Sequence, residues 1–325
     1  MKKEQKLNQV FKYTDIKGAK EILKDNTILM KSPDQFNDPN DCDLTYNEKN
    51  SNKAFELIQE YYFLKAIKDE LENNKTKKTK DLSPLGAIAK GAIIAHNLTI
   101  PKTHEFESNP LFHKQIKGLI NKNESVKKQI DDAISSFKKQ LDEKLQSARK
   151  KAFIGCFSKI PNAPLMWSHY SDECKGVCIE WDIQTLSDNN IFLEVLYSDN
   201  KPQIDLYKFI RVFLGYDYLK EKFDENDKHL KEDLVKLIVT KSKDWEYEKE
   251  VRIVLSKSDM KPGVAEVIGN NRALYHMAVF PSRVYLGERI SQEDEKEIRQ
   301  LCLKYTNCEI VRTRHSNDGY SIELY

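Results

Sequence analysis

Residues Phe153 to Asp182 read FIGCFSKIPNAPLMWSHYSDECKGVCIEWD, and the rest of the chain is organised around them. The apolar run Phe153-Ile154-Gly155-Cys156-Phe157 predicts a strand that ends at Ser158. A loop bounded by prolines follows, from Ile160 to Pro164. Leu165 to Tyr170 is an amphipathic segment rich in groups that stack and hydrogen-bond. Lys175-Gly176 then turns the chain into a second strand, Val177 to Trp181. The expectation is one compact hairpin-like unit with Ser158, Trp167, Ser168, His169 and Tyr170 near one loop. Burial alone does not account for that set, so a site is expected here.

The second informative stretch is Asp244 to Leu255, DWEYEKEVRIVL. Alternate side chains of a strand share a face. Read as one strand, it puts Tyr247, Val251, Ile253 and Leu255 on an apolar face and Glu246, Glu248, Glu250 and Arg252 on the other. A solvated charge ladder on a surface strand is the plain alternative. Against it, the strand is β-branched and its charges cluster at one end, as expected of an interior strand.

Outward from these stretches, Val10 to Tyr13 and Thr27 to Met30 read as strands. Between them Ile16 to Lys24 reads as a short helix with Ile16, Ala19, Ile22 and Leu23 on one face. Ser32 to Cys42 is turn chemistry with Phe36 as its large apolar anchor, and the functional reading is a ligand-facing loop. From residue 51 to 150 the pattern turns helical. Phe55, Ile58, Tyr62, Leu64 and Ile67 recur at helical spacing, Leu71 to Lys80 is a charged break, and Ala87 to Ala95 is a small-residue helix. Val126, Ile130, Ile134, Phe137, Leu141 and Leu145 stripe a long helix. Further on, strands are expected at Ile191 to Tyr197, Lys249 to Ser256, Val264 to Ile268, Leu274 to Phe280, Val284 to Leu286, Glu309 to Arg314 and Ser321 to Tyr325. Helices are expected around Leu206 to Leu214, at Leu230 to Val239, and from Ser291 to Tyr305, where Asp294 sits in the capping-box place.

The 325 residues carry 32% charged side chains but a net charge of +2, so nothing drives the whole chain toward nucleic acid or membrane. No apolar run approaches the ~20 residues of a membrane span. The first residues lack an apolar signal core, and the six cysteines form no CxxC. A cytoplasmic protein with reduced cysteines is expected.

A carboxylate on the Glu248–Glu250 segment can hold a ribose hydroxyl and steady an oxocarbenium-like centre. That chemistry needs an aromatic to stack a base and a supporting hydroxyl; Trp167, Tyr170 and Ser158 are available. A carboxylate pair can also bind a divalent metal with Asp38, Asp41 and Glu180, although no spacing demands it and no metal is expected. His169 with Cys174 and Cys178 lacks zinc-knuckle spacing. Cys156 with His169 stays open as a nucleophile pair. No dinucleotide glycine motif, P-loop or GxSxG is present.

The motifs resemble the bacterial family called domain of unknown function 2971. They are Phe11-Lys12-Tyr13, Ser32 with Phe36-Asn37-Asp38-Pro39, Cys156-Phe157-Ser158, Leu165 to Tyr170, Gly176 to Glu180, and Trp245 with Tyr247-Glu248-x-Glu250-x-Arg252. Phe280-Pro281 and Leu286-Gly287 add to it. A looser resemblance is to the ADP-ribosyltransferase superfamily, with its early basic position, central aromatic-Ser segment and late Glu-x-Glu. Here these are Lys12-Tyr13, Phe157-Ser158 and Glu248-Lys249-Glu250. The first motif lacks the usual Arg or His, and the central one has a single serine. That resemblance implies Glu250 as the catalytic glutamate on the nicotinamide ribose, Glu248 as the acceptor-orienting group and Ser158 as the support of Glu250. Lys12, Tyr13, Asn37, Asp38, Ser158, Trp167, His169, Tyr170 and Arg252 are the expected substrate-binding residues.

The expected fold is α+β, a mixed, mostly antiparallel sheet core built from 1–50 and 151–325, with 51–150 as a helical insertion. Three functions compete. The first is an enzyme that cleaves NAD as co-substrate, a toxin or defence effector with a protein or nucleic-acid acceptor. The second is a nucleotide- or nucleic-acid-binding module without turnover. The third is a metal-dependent nuclease.

Overall fold

The computed structural model describes residues 7–46, 51–56, 58–59, 118, 121–122, 124–186, 191–208, 232–233, 235–269, 271–319 and 321–325. The chain packs as two units. Met1–Asp43, Ser147–Pro202 and Lys236–Tyr325 make the first; Leu44–Gln146 and Gln203–Val235 make the second. Residues 203–235, read from sequence as part of the core, group with the second unit.

The first unit opens with β1 (Gln9–Thr14), α1 (Ile16–Asp25) and β2 (Thr27–Lys31). Asp15 caps α1 by accepting from the Gly18 N–H, and Asn26, with a left-handed φ of 54°, stops it. Ala19, Ile22 and Leu23 face the core, as the spacing predicts. The helix α2 (Glu124–Lys151) leads into β3 (Phe153–Ser158), α3 (Pro164–Tyr170) and β4 (Val177–Asp182). The expected strand at 191–197 is two short pieces, β5 (Leu193–Glu194) and β6 (Leu196–Ser198). β7 (Thr240–Ser242), a 3-10 turn (Lys243–Glu248) and β8 (Glu250–Leu255) follow. Then come β9 (Ala265–Gly269), β10 (Arg272–His276), β11 (Pro281–Leu286), α4 (Gln292–Cys302), β12 (Glu309–His315) and β13 (Ile322–Leu324).

Among the described residues eleven strands form one sheet, in the order β13-β12-β11-β4-β1-β3-β2-β10-β9, with β8 against β3 and β5. Its pairs are antiparallel except β11 with β12, so the sheet is mixed and mostly antiparallel. The expected hairpin does not form. β1 lies between β3 and β4 and pairs with β4 from Gln9↔Asp182 to Thr14↔Val177. Alternation tells which face a residue takes but not which strand is its neighbour, and the connection containing α3 is long enough to carry the chain past β1. Gly176 stands just before β4, where a Cβ would sit 2.1 Å from the Thr14 carbonyl oxygen.

β3 is the pivot. On one side it pairs along its length with β8, from Phe153↔Leu255 to Ser158↔Glu250. On the other it touches β1 at Phe11↔Ser158 and β2 at Lys31↔Ile154. β1 is committed to β4, and β2 is committed to β10. The two therefore splay apart along β3. Among the described residues, the main chain at Cys156 has no strand partner on that side.

The sheet buries both faces. Val10, Ile179, Trp181, Val251 and Ile253 pack with residues of α1 and α4, including Leu23 and Ile298. Phe11, Tyr13, Cys178 and Tyr285 pack with Met166 and Trp167 of α3 on the opposite face. β4 contributes to both clusters in alternation, as a central strand must.

In the second unit, residues 52–56 and 58–59 are helical. Ala54, Ile58, Leu141 and Leu206 form its core, with Ile134, Phe137 and Leu145 packed on it. Ile134, Phe137, Leu141 and Leu145 of the stripe expected on the long helix thus form its packing face. Among the described residues of 51–150 none is in a strand. The lysine-rich break 71–80, the small-residue helix 87–95 and residues 209–214 lie outside the described residues. No described helix is long and apolar enough to cross a membrane.

Candidate functional site

The split in the sheet opens into a cavity of about 480 Å³. Its floor is β3, with Ile154, Cys156 and Ser158, and β1 contributes Lys12 and Tyr13. Lys31 and Leu29 of β2 line one side, and Phe36, Asn37 and Asp41 come from the loop after it. His169 and Tyr170 of α3, with Lys241, Glu248 and Glu250, close the other side. Arg149 of α2 anchors the loop by donating to the carbonyls of Pro39 and Asp41 at 2.9 and 3.1 Å.

Lys12 answers the gap in the ladder. Its Nζ donates to the Cys156 carbonyl at 2.7 Å, satisfying a main-chain acceptor that no strand covers. Among the described residues Lys12 meets no carboxylate at ion-pair distance. Burial lowers the pKa of its ammonium, and the charges of Glu250 and Glu248 offset this only in part.

A buried ion cluster forms the opposite wall. Arg252 is fully buried. Its Nε and Nη2 hold the two Glu250 carboxylate oxygens at 2.8 and 3.0 Å. Its Nη1 and Nη2 hold the Asp41 oxygens at 2.9 and 2.7 Å. Phe36, the anchor of the loop, packs 5.8 Å from the guanidinium. The Lys241 ammonium lies 2.6 Å from Glu248, 3.2 Å from Glu250 and 3.7 Å from Asp41. The Tyr170 hydroxyl donates to the other Glu248 oxygen at 2.6 Å. Three carboxylates thus meet two cations, so the cluster carries one negative charge in excess whenever Glu248 is ionised.

The two glutamates are pushed apart. Burial would raise the Glu250 pKa, but the Arg252 guanidinium and then Lys241 reverse this and hold it at about 2. For Glu248 burial wins over Lys241, and its pKa rises above the ordinary value. Lys241 is desolvated too, yet Glu250 and Glu248 raise its pKa. Burial and then Glu248 push up the Tyr170 phenol. Arg252 and Lys241 thus favour the ionised form of Glu250, while burial favours the protonated form of Glu248.

Lys12, Tyr13, Asn37, Ser158, His169, Tyr170, Glu248 and Glu250 all line this one cavity. Arg252 sits behind it and holds Glu250. Trp167 does not belong to it. The ring is fully buried, edge-on to Tyr13 at 5.3 Å, and donates to the Pro161 carbonyl. It is core, because the amphipathic turn of α3 points its largest residue inward. Asp38 lines a neighbouring cavity instead. Residues 243–248 are a 3-10 turn closed by Lys249 at φ 45°, so the strand alternation starts only at Glu250. Tyr247 leaves the expected apolar face and bonds His169 Nδ1 at 3.1 Å. Glu246 is exposed and pairs with Lys249.

In the sequence Asp41 reads as a candidate metal ligand within the Ser32–Cys42 loop, and Lys241 is not among the expected site residues. Neither carries a local signal, because each is buried by partners from distant segments. The Cys156–His169 pair is not made: His169 turns to Tyr247 at the rim, while burial and the Glu250 charge drive the Cys156 pKa up. Cys178 lies in the apolar cluster under α3. Glu180 is remote, bonded by Gln9, Ser282 and Tyr285. Among the described residues no group of three or more His, Cys, Asp and Glu side chains could hold a metal ion. Where Asp41, Glu248 and Glu250 converge, Lys241 and Arg252 stand in the place of a cation.

Fold and cleft together define an α+β protein whose split sheet opens onto a buried ion cluster. The family described as Protein of unknown function (DUF2971) matches residues 166–253, which include His169, Tyr170, Lys241, Glu248 and Glu250. The match supports the family resemblance seen in the motifs. No curated protein and no solved structure matches the chain.

Proposed function

We propose that the cleft binds NAD and cleaves its nicotinamide–ribose bond, passing the ADP-ribosyl group to water or to a protein or nucleic-acid acceptor. The observation that carries this reading is the bipolar cavity. Glu250, held as the anion by Arg252 and Lys241, faces Lys12, a cation without a carboxylate partner among the described residues. NAD is bipolar in the same sense, with a cationic pyridinium ribose at one end and a diphosphate further along. The cavity volume falls within the ~300–1,000 Å³ of small-molecule sites.

In this reading the C1′–N bond breaks and its electron pair goes to the pyridinium nitrogen, leaving neutral nicotinamide. Glu250 steadies the cationic ribose that remains. The nucleophile adds to C1′ and gives its proton to Glu248, which Tyr170 orients. Lys12 and Lys31 favour the diphosphate. In a cell such turnover would suit a toxin or defence effector.

The test is the purified full chain with NAD, followed for nicotinamide by chromatography. Tyr170→Phe and Glu250→Gln are compared after folding is checked by circular dichroism. Release that falls about 100-fold or more in folded Glu250→Gln supports the reading. One observation favours a receptor instead: both Glu250 oxygens are already occupied by Arg252 and Lys241. NAD binding by calorimetry without any nicotinamide release would establish that second reading and end the first.

A further inference from the structure

A second cavity, of about 520 Å³, shares Asn37, Asp41 and Lys241 with the first. We infer that it is the other half of one bipartite site and takes a planar cationic ring against Trp245. The inference rests on the proposed reading of the cleft and assigns the pyridinium end of the dinucleotide to this half.

Rings connect the two halves. His169 lies 6.4 Å from Tyr170 and 6.0 Å from Tyr247, and Tyr247 lies 6.1 Å from Trp245, all between ring centroids. The run starts at Tyr170 in the first cavity and ends at Trp245 in the second. Trp245 is half-buried, and the Lys241 ammonium already sits 4.8 Å from its ring centroid. The indole is thus a platform that accepts a cation.

Charge separates the halves. In the second cavity Asp41 is neutralised by Arg252, Lys241 by Glu248 and Glu250, Asp199 by Lys243, and Lys201 by Asp43. Among the described residues, Asp38 and Asp244 are left with neutral donors, the Asn40 N–H and the Ser242 hydroxyl. Those two carboxylates repel a diphosphate and attract a positive ring, whereas Lys12 and Lys31 do the opposite in the first cavity. A ligand with both features is therefore oriented one way round, with its ribose beside the shared wall of Lys241.

The chain has three tryptophans. Trp167 and Trp181 are fully buried, so quenching of tryptophan emission by a solute reports Trp245. The experiment titrates the full chain with 1-methylnicotinamide, a permanent cation, and with neutral nicotinamide. Expected is saturable quenching by the cation, about tenfold or more tighter than by the neutral ring. It should disappear in Trp245→Leu and weaken about tenfold in the Asp38→Asn, Asp244→Asn double variant. Linear quenching that survives in Trp245→Leu, or equal affinity for both rings, overturns the inference. NAD cleavage without saturable quenching removes this inference and leaves the cleavage reading. Saturable quenching without nicotinamide release does the reverse.

Discussion

Ser158 and Glu250 are register partners across β3 and β8, yet the Ser158 hydroxyl serves a different residue. It donates to the Glu248 main-chain carbonyl at 2.7 Å and accepts from the Ile160 N–H at 3.2 Å. Glu250 takes its support from Arg252 and Lys241 instead. Ser158 is thus a clamp on the turn at Lys249, which needs a left-handed φ of 45° from a residue with a Cβ. That turn lets Glu248 and Glu250 reach one ammonium although only Glu250 lies on the strand.

Ser158→Ala therefore has a structural cost before a chemical one. It leaves a buried carbonyl without its donor, worth roughly 1–3 kcal/mol. Urea unfolding should show that loss, and nicotinamide release should fall less than in Glu250→Gln. Unchanged stability would remove the clamp.

Glu250→Gln and Glu248→Gln should differ in stability. An exposed ion pair would make the first change mild, but Glu250 is buried and bound to two cations. Taking one charge out of such a network costs about 3–5 kcal/mol. Glu248 already resists ionisation, so its amide should cost less. Chemical denaturation at neutral pH ranks the two, and equal losses would contradict the division of roles.

The alternation of β8 was legible for Glu250, Val251, Arg252 and Ile253, because period-two patterning holds wherever a strand is regular. It failed one residue earlier, since no pattern announces that Lys249 turns left-handed. Most of the cavity lining was legible in the polar residues of β1, β3 and α3. Trp167 was misplaced because stacking capacity and burial favour the same residue type. Asp41 and Lys241 were illegible as a pair, because their environment is made by Arg252, Glu248 and Glu250 from other segments of the chain. The insertion of β1 between β3 and β4 was hidden for a related reason, as strand order is a property of long-range pairing.

Acid stability follows from the two glutamates with opposite signs. The folded Glu250 pKa of about 2 lies below its reference of 4.5. Its stabilisation is present above 4.5 and is lost as pH falls toward 2, a change of roughly 3 kcal/mol. The raised Glu248 pKa works the other way, its contribution being largest below 4.5 and lost as pH rises. Relative to the unmodified chain, Glu250→Gln should show a flatter stability profile between pH 5 and about 2, and Glu248→Gln should lose less stability as pH rises above 4.5, so the two variants diverge across the range from about pH 2 to 8. Denaturant midpoints across that range check both slopes.

Lys12 should link stability to ligand affinity. Its folded pKa is lowered below 10.5, so the unfolded chain binds the proton more readily. The unmodified chain should gain stability relative to Lys12→Met as pH rises toward 10.5. The same substitution should weaken NAD binding at least tenfold and reduce its dependence on salt, since a charge contact is lost. Calorimetry at two ionic strengths measures the second effect, and undiminished affinity would take Lys12 out of the site.

Lys241 offers the sharpest test of the cluster. Three carboxylates converge on its ammonium, and two of them, Glu248 and Glu250, hydrogen-bond it. In Lys241→Ala those carboxylates face one another with Arg252 as the remaining cation, and Glu248 and Glu250 both bind protons more readily than in the intact network. A carboxylate raised in the folded state stabilises below its unfolded value, and that contribution fades as pH rises. The variant should therefore be about 3–5 kcal/mol less stable at pH 8 and recover much of the loss near pH 5. Methylammonium should also restore it at pH 8, because it fits the space the side chain leaves. Lys241→Met removes the same charge but fills that space, so it should share the pH dependence and ignore methylammonium. If Lys241→Met matches the unmodified chain and Lys241→Ala alone is destabilised, by the same amount at every pH, Lys241 contributes packing and not charge, and the ionised state of Glu250 must then rest on Arg252 alone.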